Sequence, residues 1–165
     1  MLDSLNRNVI QRIKSRGFSG RYPHFRKDCG EHIELVSFFT NKYGGSFTVE
    51  LSAAFPNCAE KNYSLFGNMN EKTLNVSATN NRYRLPGMFD GWFYYSDVYC
   101  KSLFFFGKIY SADHELNEKR KGWSQVQTFN ESTADDICVE INKQMIKGFE
   151  WLEKFVSRHN NKARV

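Results

Sequence analysis

Residues 82–84 are Arg-Tyr-Arg, and two arginines on either side of a tyrosine could grip a phosphate or carboxylate, because a guanidinium presents its N–H donors in one plane. A strand with one face in solvent accounts for the same pattern. Earlier in the chain, Tyr22, His24 and Arg26 alternate along residues 20–28, so on a strand they lie on one side. His24 and Arg26 are either ligand contacts or ordinary edge-strand surface.

A second group of side chains follows, where Asp90 precedes Trp92 and Tyr94. Aromatic surroundings would raise the pKa of Asp90 and could make it functional, although a structural Asp that begins a turn explains it too. We predict a partner-binding surface that combines these aromatic and arginine segments. Its residues are Tyr22, His24, Arg26, Arg82, Arg84, Asp90, Trp92 and Tyr94.

Known phosphate, zinc-protease and nucleophile motifs are missing from the sequence, so we expect a protein that is not an enzyme and that uses no cofactor. His32 beside Glu34 could be a general base, or simply a surface histidine. The run Asp113-His114-Glu115 suggests a metal, but adjacent residues on one loop seldom converge, so we predict no metal site. The widely spaced cysteines are predicted to be free thiols that form no zinc-type cluster: Cys29, Cys58, Cys100 and Cys138.

The elements that position these residues centre on two runs of alternating apolar residues in 31–55. The second run places Phe47, Val49, Leu51, Ala53 and Phe55 on one side. The first run offers Ile33, Leu35, Ser37 and Phe39 to the same side. Paired glycines at 44–45 favour a tight reversal between them. The pattern predicts a hairpin with one buried face.

Helical periodicity occurs at both ends of the chain. Apolar residues from Leu2 to Ile13 predict an amphipathic helix over 3–16, with Gly17 as its left-handed cap. Apolar residues from Ile137 onwards predict a helix over 133–158, which must lie across the sheet.

At 165 residues the chain fits one domain, 1–165. Between the helices we expect a three-stranded meander over 20–55, with Pro23 on an edge strand, an irregular segment over 56–81, and further strands within 82–129. The predicted class is α+β, with an antiparallel sheet of about five or six strands and both helices packed on one face. The other face is expected to be partly exposed and to bind the partner.

Charge is distributed unevenly. Residues 1–30 carry seven Lys or Arg against two Asp or Glu, and residues 153–165 carry four against one, whereas the middle carries 12 against 15. If the termini lie side by side, they form one basic surface for an acidic partner or nucleic acid. There is neither a signal-peptide pattern nor an apolar run of about 18 residues, so we expect a cytoplasmic protein without membrane partners.

Several short motifs, taken in order, resemble an uncharacterised bacterial family of domains of unknown function. They are Arg16-Gly17-Phe18 after the first helix, Phe25-Arg26, Phe47-Thr48-Val49 in the second hairpin strand, Arg84-Leu85, Asp90-Gly91-Trp92-Phe93 and a closing helix; the family pattern has an F-x-R start. Glu50 and Phe93 stand where that family tends to have Asn and Trp. The resemblance implies a small standalone domain similar in size to the immunity proteins of toxin systems, and it carries no catalytic residues with it.

Two functional hypotheses follow, and an enzyme of unknown class is a less favoured third, because a pocket assembled from distant residues leaves no motif in the sequence. The first is a cytosolic protein-binding domain, most concretely an immunity protein that neutralises a cognate toxin by direct binding, because aromatic residues are abundant and catalytic motifs are missing. The second is nucleic-acid binding through basic termini and exposed aromatic residues. Salt dependence separates them, since phosphate contacts weaken steeply with salt.

Overall fold

The computed structural model describes residues 1–42, 45–58, 61–88, 91–95 and 131–162, which contain an antiparallel sheet of six strands. The strands are β1 (Ser19–Arg21), β2 (His24–Asp28), β3 (Ile33–Thr40), β4 (Ser46–Ala54), β5 (Tyr83–Arg84) and β6 (Phe93–Tyr94). Strands β1 to β5 pair in sequence order, and β6 pairs with β4 further along the edge that β5 occupies. The expected antiparallel sheet of five or six strands is confirmed.

Helices at both ends of the chain pack on one side of the sheet, which we call the helix face. The N-terminal region consists of α1 (Leu2–Leu5), a π-helical stretch (Asn6–Ile10) and α2 (Gln11–Ser15), and the C-terminal helix is α3 (Glu131–Lys162). Gly17 has a φ of 88°, which confirms the predicted cap. The shared core includes Val36, Phe38, Val49 and Leu51 from the sheet and Val9, Ile13, Ile141 and Leu152 from the helices. The α+β class with both helices on one face is therefore confirmed.

The register of the β3–β4 hairpin gives it two buried faces. Val36 lies opposite Leu51 on the helix face, whereas its neighbour Leu35 lies opposite Ser52 on the reverse side. The expectation that Leu35 shares a face with the apolar residues of β4 is therefore wrong. Leu35 and Val36 are consecutive apolar residues, which is typical of a strand that is covered on both sides. In such a strand, alternation alone does not show which residues face the helices, and it assigned Leu35 to the wrong face. All nine residues of β4 are buried.

Residues 61–82 cover the reverse side of the sheet, which we call the loop face. This segment includes a 3₁₀ helix (Val76–Ala78) and an isolated bridge between Tyr63 and Thr79. Its apolar residues build a second core. That core contains Ile33, Leu35, Ala54, Tyr63, Leu74, Val76 and Ala78. The loop face, expected to be partly exposed, is thus covered at its centre and open at margins such as His24 and Arg84.

Tyr22 and Pro23 form a turn between two strands instead of lying within one. Arg21 pairs with His24 across this turn, and the Tyr22–Pro23 peptide bond is cis. Proline has no N–H to donate to a ladder, so a turn suits it. The prediction of a single edge strand over 20–28 is wrong, because β1 forms the edge and β2 pairs on both sides. The meander was expected to contain three strands, but it contains four, β1 to β4.

The N-terminal helix lies beside the beginning of α3. The side chain of Asn8 donates to Asp135, and the side chain of Asn142 donates to the Asn8 carbonyl, so the N-terminal helix runs alongside the first half of α3. From Asp135, α3 continues for about 40 Å to Lys162 at 1.5 Å per residue. The N-terminal segment also reaches the second half of α3, where the Arg16 guanidinium lies 4.2 Å from the centroid of the Phe149 ring. None of the described helices combines the length and hydrophobicity needed to cross a bilayer.

Candidate functional site

Four polar side chains form a row across the loop face, one on each of four adjacent strands. Ser37 lies opposite both His24 in β2 and Glu50 in β4, and Glu50 lies opposite Arg84 in β5. We call these four residues the polar row. Cross-strand neighbours project to the same side of a sheet. Two predicted site residues, His24 and Arg84, therefore lie at the ends of this row, and the buried Ser37 and Glu50 lie between them.

Glu50 is the buried centre of this row, with 3% of its surface exposed. Arg84 donates from Nε to the Glu50 Oε1 at 2.8 Å, and Arg84 Nη2 lies 2.7 Å from the same oxygen. A buried carboxylate without a partner costs several kcal/mol, and the pairing with Arg84 offsets that cost. The Arg84 side chain remains 51% exposed, which brings its guanidinium to the surface.

Arg82 is fixed by backbone carbonyls beside the same carboxylate. Its Nε donates to the Thr79 carbonyl at 2.9 Å and its Nη2 to the Ser77 carbonyl at 2.8 Å. The 3₁₀ helix that presents them is capped by Asn75, whose side chain accepts from the Ser77 amide. Arg82 Nη1 lies 3.7 Å from Glu50 Oε2, an oxygen without a hydrogen bond among the described residues. Two guanidinium groups thus share one carboxylate, which leaves a net positive charge.

His24 stands at the other end of the polar row. Its Nδ1 lies 3.0 Å from the Ser37 Oγ, and the Val76 amide donates to that same oxygen at 3.4 Å. Because Ser37 accepts from Val76, it can donate its own proton to Nδ1, which fits a neutral imidazole with its proton on Nε2. Desolvation by burial lowers the pKa of His24, in agreement with the neutral form.

Arg26 binds the covering segment of the loop face. Its Nη1 donates to the carbonyl of Glu71 at 2.9 Å and to the carbonyl of Lys72. That turn is closed by Asn70, whose Oδ1 accepts from the amides of Lys72 and Thr73. The guanidinium of Arg26 therefore holds residues 70–73 against β2.

The remaining predicted residues divide between the two faces. The Tyr22 ring lies 5.5 Å from the Phe38 ring on the helix face, away from His24 and Arg26. Burial, and secondarily Tyr95, raises the pKa of Tyr22. Asp90 lies outside the described residues.

Trp92 and Tyr94 flank Phe93, which stacks on Phe47 at the helix face with 5.6 Å between ring centroids. By alternation along β6, Trp92 and Tyr94 project to the other side, the side of the polar row. Tyr94 is buried and Trp92 is half-buried. The structure thus gathers His24, Arg26, Arg82 and Arg84 on the loop face, with Trp92 and Tyr94 on the same side of the sheet.

Sequence reasoning missed Glu50, Ser37 and Gly91 as parts of this arrangement. Glu50 lies between Val49 and Leu51 in the alternating pattern of β4, and a carboxylate in the middle of a long apolar strand signals a buried partner. Gly91 has a φ of +79°, and a Cβ there would lie 2.7 Å from the Arg84 Cδ. Glycine at this position lets Arg84 pass beneath the chain to reach Glu50.

A separate group of side chains at the β2–β3 turn could hold a metal ion. One ligand atom each from Cys29, His32 and Glu34 lies within 4.8 Å of the others. The prediction that cysteine and histidine form no such cluster overlooked the C-x-x-H spacing of residues 29–32. His32 also has only 13% of its side chain exposed, which contradicts a surface histidine. Burial, followed by the Glu34 charge, raises the pKa of Cys29. The Asp113–Glu115 run lies outside the described residues.

Comparison with known proteins identifies one family. The model for a domain of unknown function, DUF4304, matches residues 11–154. No curated protein and no solved structure matches the chain significantly. The expected relationship to an uncharacterised domain family is confirmed by this match.

Proposed function

We propose that this chain, which belongs to the DUF4304 family of domains of unknown function, is a binding domain that docks on an acidic surface of a protein partner. The most concrete partner is a bacterial toxin that the chain neutralises in the cytosol as an immunity protein. The observation that carries this proposal is the pair of half-exposed arginines, Arg82 and Arg84, fixed around the buried Glu50.

The geometry favours recognition of an anionic group. Arg82 is anchored to two carbonyls and Arg84 to Glu50, so neither side chain must be ordered when a partner arrives. Preorganised donors lose less entropy on binding, and guanidinium groups form the strongest hydrogen bonds with carboxylates. The side chains remain 40% and 51% exposed, which leaves surface on both for a partner carboxylate.

Apolar side chains extend this surface into one that suits a protein. The Ser64 amide donates to the Ala78 carbonyl, so Leu65 and Phe66 follow directly beside the 3₁₀ helix that holds Arg82. Both side chains are exposed, Phe66 by 53%. Aromatic residues and arginines are the residue types enriched at the energetic centre of protein interfaces. We call Leu65, Phe66, Arg82 and Arg84 the docking surface.

The proposal is tested by affinity capture followed by a toxicity assay. Tagged chain is used to capture partners from its native lysate, with and without nuclease and at two salt concentrations. A near-stoichiometric protein that survives nuclease and moderate salt is then expressed in a sensitive host with and without the chain. We expect growth arrest with the partner alone and normal growth when both are present.

Variants connect that result to the docking surface. Phe66→Asp should weaken capture at least tenfold, because it places a charge at an apolar contact without touching Glu50. The matched control is Leu2→Asp, an equally exposed apolar residue on α1, which should bind as the wild type does. Equal loss in both variants, or no loss in Phe66→Asp, would contradict the docking surface. Recovery of nucleic acid that dissociates at high salt would overturn the protein-partner proposal in favour of nucleic-acid binding.

A further inference from the structure

We propose that Cys29, His32 and Glu34 form a binding site for a divalent transition metal of the zinc type, with three protein ligands and one open position. The site lies in the β2–β3 turn, at the opposite end of β2 from the polar row. It is independent of the proposed docking function, because none of its residues belongs to the docking surface.

The backbone of the turn already brings the three side chains together. The Cys29 amide donates to the His32 carbonyl at 2.9 Å, and the Gly30 amide donates to the Asp28 Oδ1 at 3.0 Å. Gly30 has a φ of 81°, which the tight reversal requires. His32 and Glu34 are two residues apart at the start of β3, so their side chains share a face.

The distances suit a small tetrahedral ion. Zinc bonds of about 2.3 Å to sulfur and 2.0 Å to nitrogen or oxygen place ligand atoms about 3.3–3.6 Å apart. His32 Nε2 and Glu34 Oε1 are already 3.7 Å apart, and all three ligand atoms lie within 4.8 Å of one another. Small side-chain rotations in the turn therefore complete the geometry.

The two ring nitrogens of His32 have different surroundings. Its Nδ1 is buried without a hydrogen-bond partner among the described residues. Its Nε2 faces Glu34 at 3.7 Å, beyond hydrogen-bond range. An ion shared with Glu34 would bind at Nε2, where it takes up the lone pair of the neutral imidazole, and the ring proton would stay on Nδ1.

Glu34 is oriented for the same purpose. Its Oε2 accepts from the Lys27 Nζ at 3.1 Å, while Oε1 turns toward His32. A hydrogen-bonded outer partner of this kind is typical of metal-ligating carboxylates. A thiolate and a carboxylate together balance a charge of +2, and the sulfur and nitrogen donors select zinc-type ions over magnesium or calcium.

Metal binding would stiffen the contact between this turn and α3. The His32 ring lies 6.0 Å from the Phe55 ring, and Phe55 stacks on His159 of α3 with 3.6 Å between ring centroids. An ion that fixes the His32 ring would therefore also restrict the neighbouring Phe55 ring. The fourth position, open to solvent or to an added ligand, is where three-ligand zinc sites bind water.

The test is a titration of the reduced, full-length chain with Co²⁺ alone, followed by displacement with Zn²⁺. We expect one equivalent to bind, with thiolate-to-cobalt charge-transfer absorption and the intense visible bands of tetrahedral cobalt. Cys29→Ser should abolish the charge-transfer absorption, and Glu34→Gln should lower the affinity at least tenfold. Circular dichroism confirms that each variant is folded.

Cys58→Ser is the matched control, because Cys58 is another half-buried thiol and lies 3.9 Å from the His159 Nδ1. It should leave the cobalt spectrum unchanged. Absence of stoichiometric binding to the wild type would overturn the proposal. Loss of the charge-transfer band in Cys58→Ser, with the band retained in Cys29→Ser, would overturn it too and assign the ion to Cys58 and His159.

Discussion

Glu50 and Arg84 are direct cross-strand neighbours in β4 and β5, and two nitrogens of the guanidinium lie within 2.8 Å of one carboxylate oxygen. The strand β5 contains only two residues, and this ion pair holds it to the sheet together with the Leu85 amide, which donates to the Val49 carbonyl at 2.9 Å. A contact that fixes the short strand also fixes the arginines of the docking surface. Stability and binding are therefore coupled at Glu50.

Replacement of Arg84 by alanine should lower the free energy of unfolding by about 2 kcal/mol, the usual cost of losing hydrogen bonds to a charged group. The buried Glu50 would then keep only Arg82, 3.7 Å away. Urea denaturation at pH 7 measures the change. Arg21→Ala is the control, because Arg21 is an exposed arginine at the same level of the sheet, opposite His24, and should cost less than 0.5 kcal/mol. Equal midpoints for both variants would show that the pair adds nothing.

The sequence predicted the sheet and helices because their signals are local. Alternation along β4 and helical spacing along α3 are long, unbroken patterns. The polar row was missed because its burial depends on residues 61–82, which carry apolar side chains only in short islands such as Leu74 and Val76. A polar residue that a distant loop covers looks, in the sequence, the same as one that faces water.

Only part of the candidate site was predicted, because the strand pattern shows which residues share a face only where the chain does not turn. Arg82 and Arg84 alternate on one strand, so their shared face follows from spacing alone. Tyr22 was assigned to the face of His24 by the same rule, which failed because Pro23 reverses the chain between them. The metal-ligand group was missed because Glu34 joins the C-x-x-H turn from the next strand.

The stability of the chain should fall as the pH drops from about 7.5 to 5, in part through His24. Desolvation lowers the pKa of His24 in the fold, so below the unperturbed value of about 6.5 the unfolded chain binds a proton that the native chain resists. The contribution of the neutral His24 to the free energy of unfolding is complete above about pH 6.5 and decreases below it. His24→Gln removes it, so the stability difference between wild type and variant should narrow toward pH 5. Parallel urea-midpoint curves for the two proteins would contradict this.

Cys138 should be unreactive in the native chain. Burial, with a smaller contribution from Asp135, raises the pKa of its thiol to about 11, and thiolate is the reactive form. Alkylation at pH 8, mapped by mass spectrometry, should therefore leave Cys138 unmodified in the folded protein and modify it in urea. The half-buried Cys58 is the internal comparison and should react much faster. Equal native rates at the two thiols would show that Cys138 is accessible.

The same shift predicts weaker stability at alkaline pH. Since the folded pKa of Cys138 exceeds its unfolded value of about 8.5, the unfolded chain releases its proton first as the pH rises. The contribution of the neutral thiol is complete below about pH 8.5 and is lost progressively toward pH 11. Cys138→Ala should lose less stability than the wild type between pH 8 and 10, as measured by thermal unfolding. A wild-type curve no steeper than that of the variant would contradict this assignment.

Gly148 should tolerate alanine but not valine, because α3 passes very close to the sheet at this residue. A Cβ at Gly148 would lie 3.1 Å from both the Leu51 Cδ1 and the Leu85 Cδ2. In Gly148→Ala the tight contact is offset by a gain in helix propensity of about 1 kcal/mol, so urea denaturation should show a change within about 1 kcal/mol. Gly148→Val adds two further methyl groups and should cost about 1–3 kcal/mol through overpacking. Lys147→Val is the control, because Lys147 is exposed on the same helix and should lose only the propensity difference of about 0.7 kcal/mol or less. If both valine variants unfold at the same urea concentration, α3 is not seated against Leu51 and Leu85.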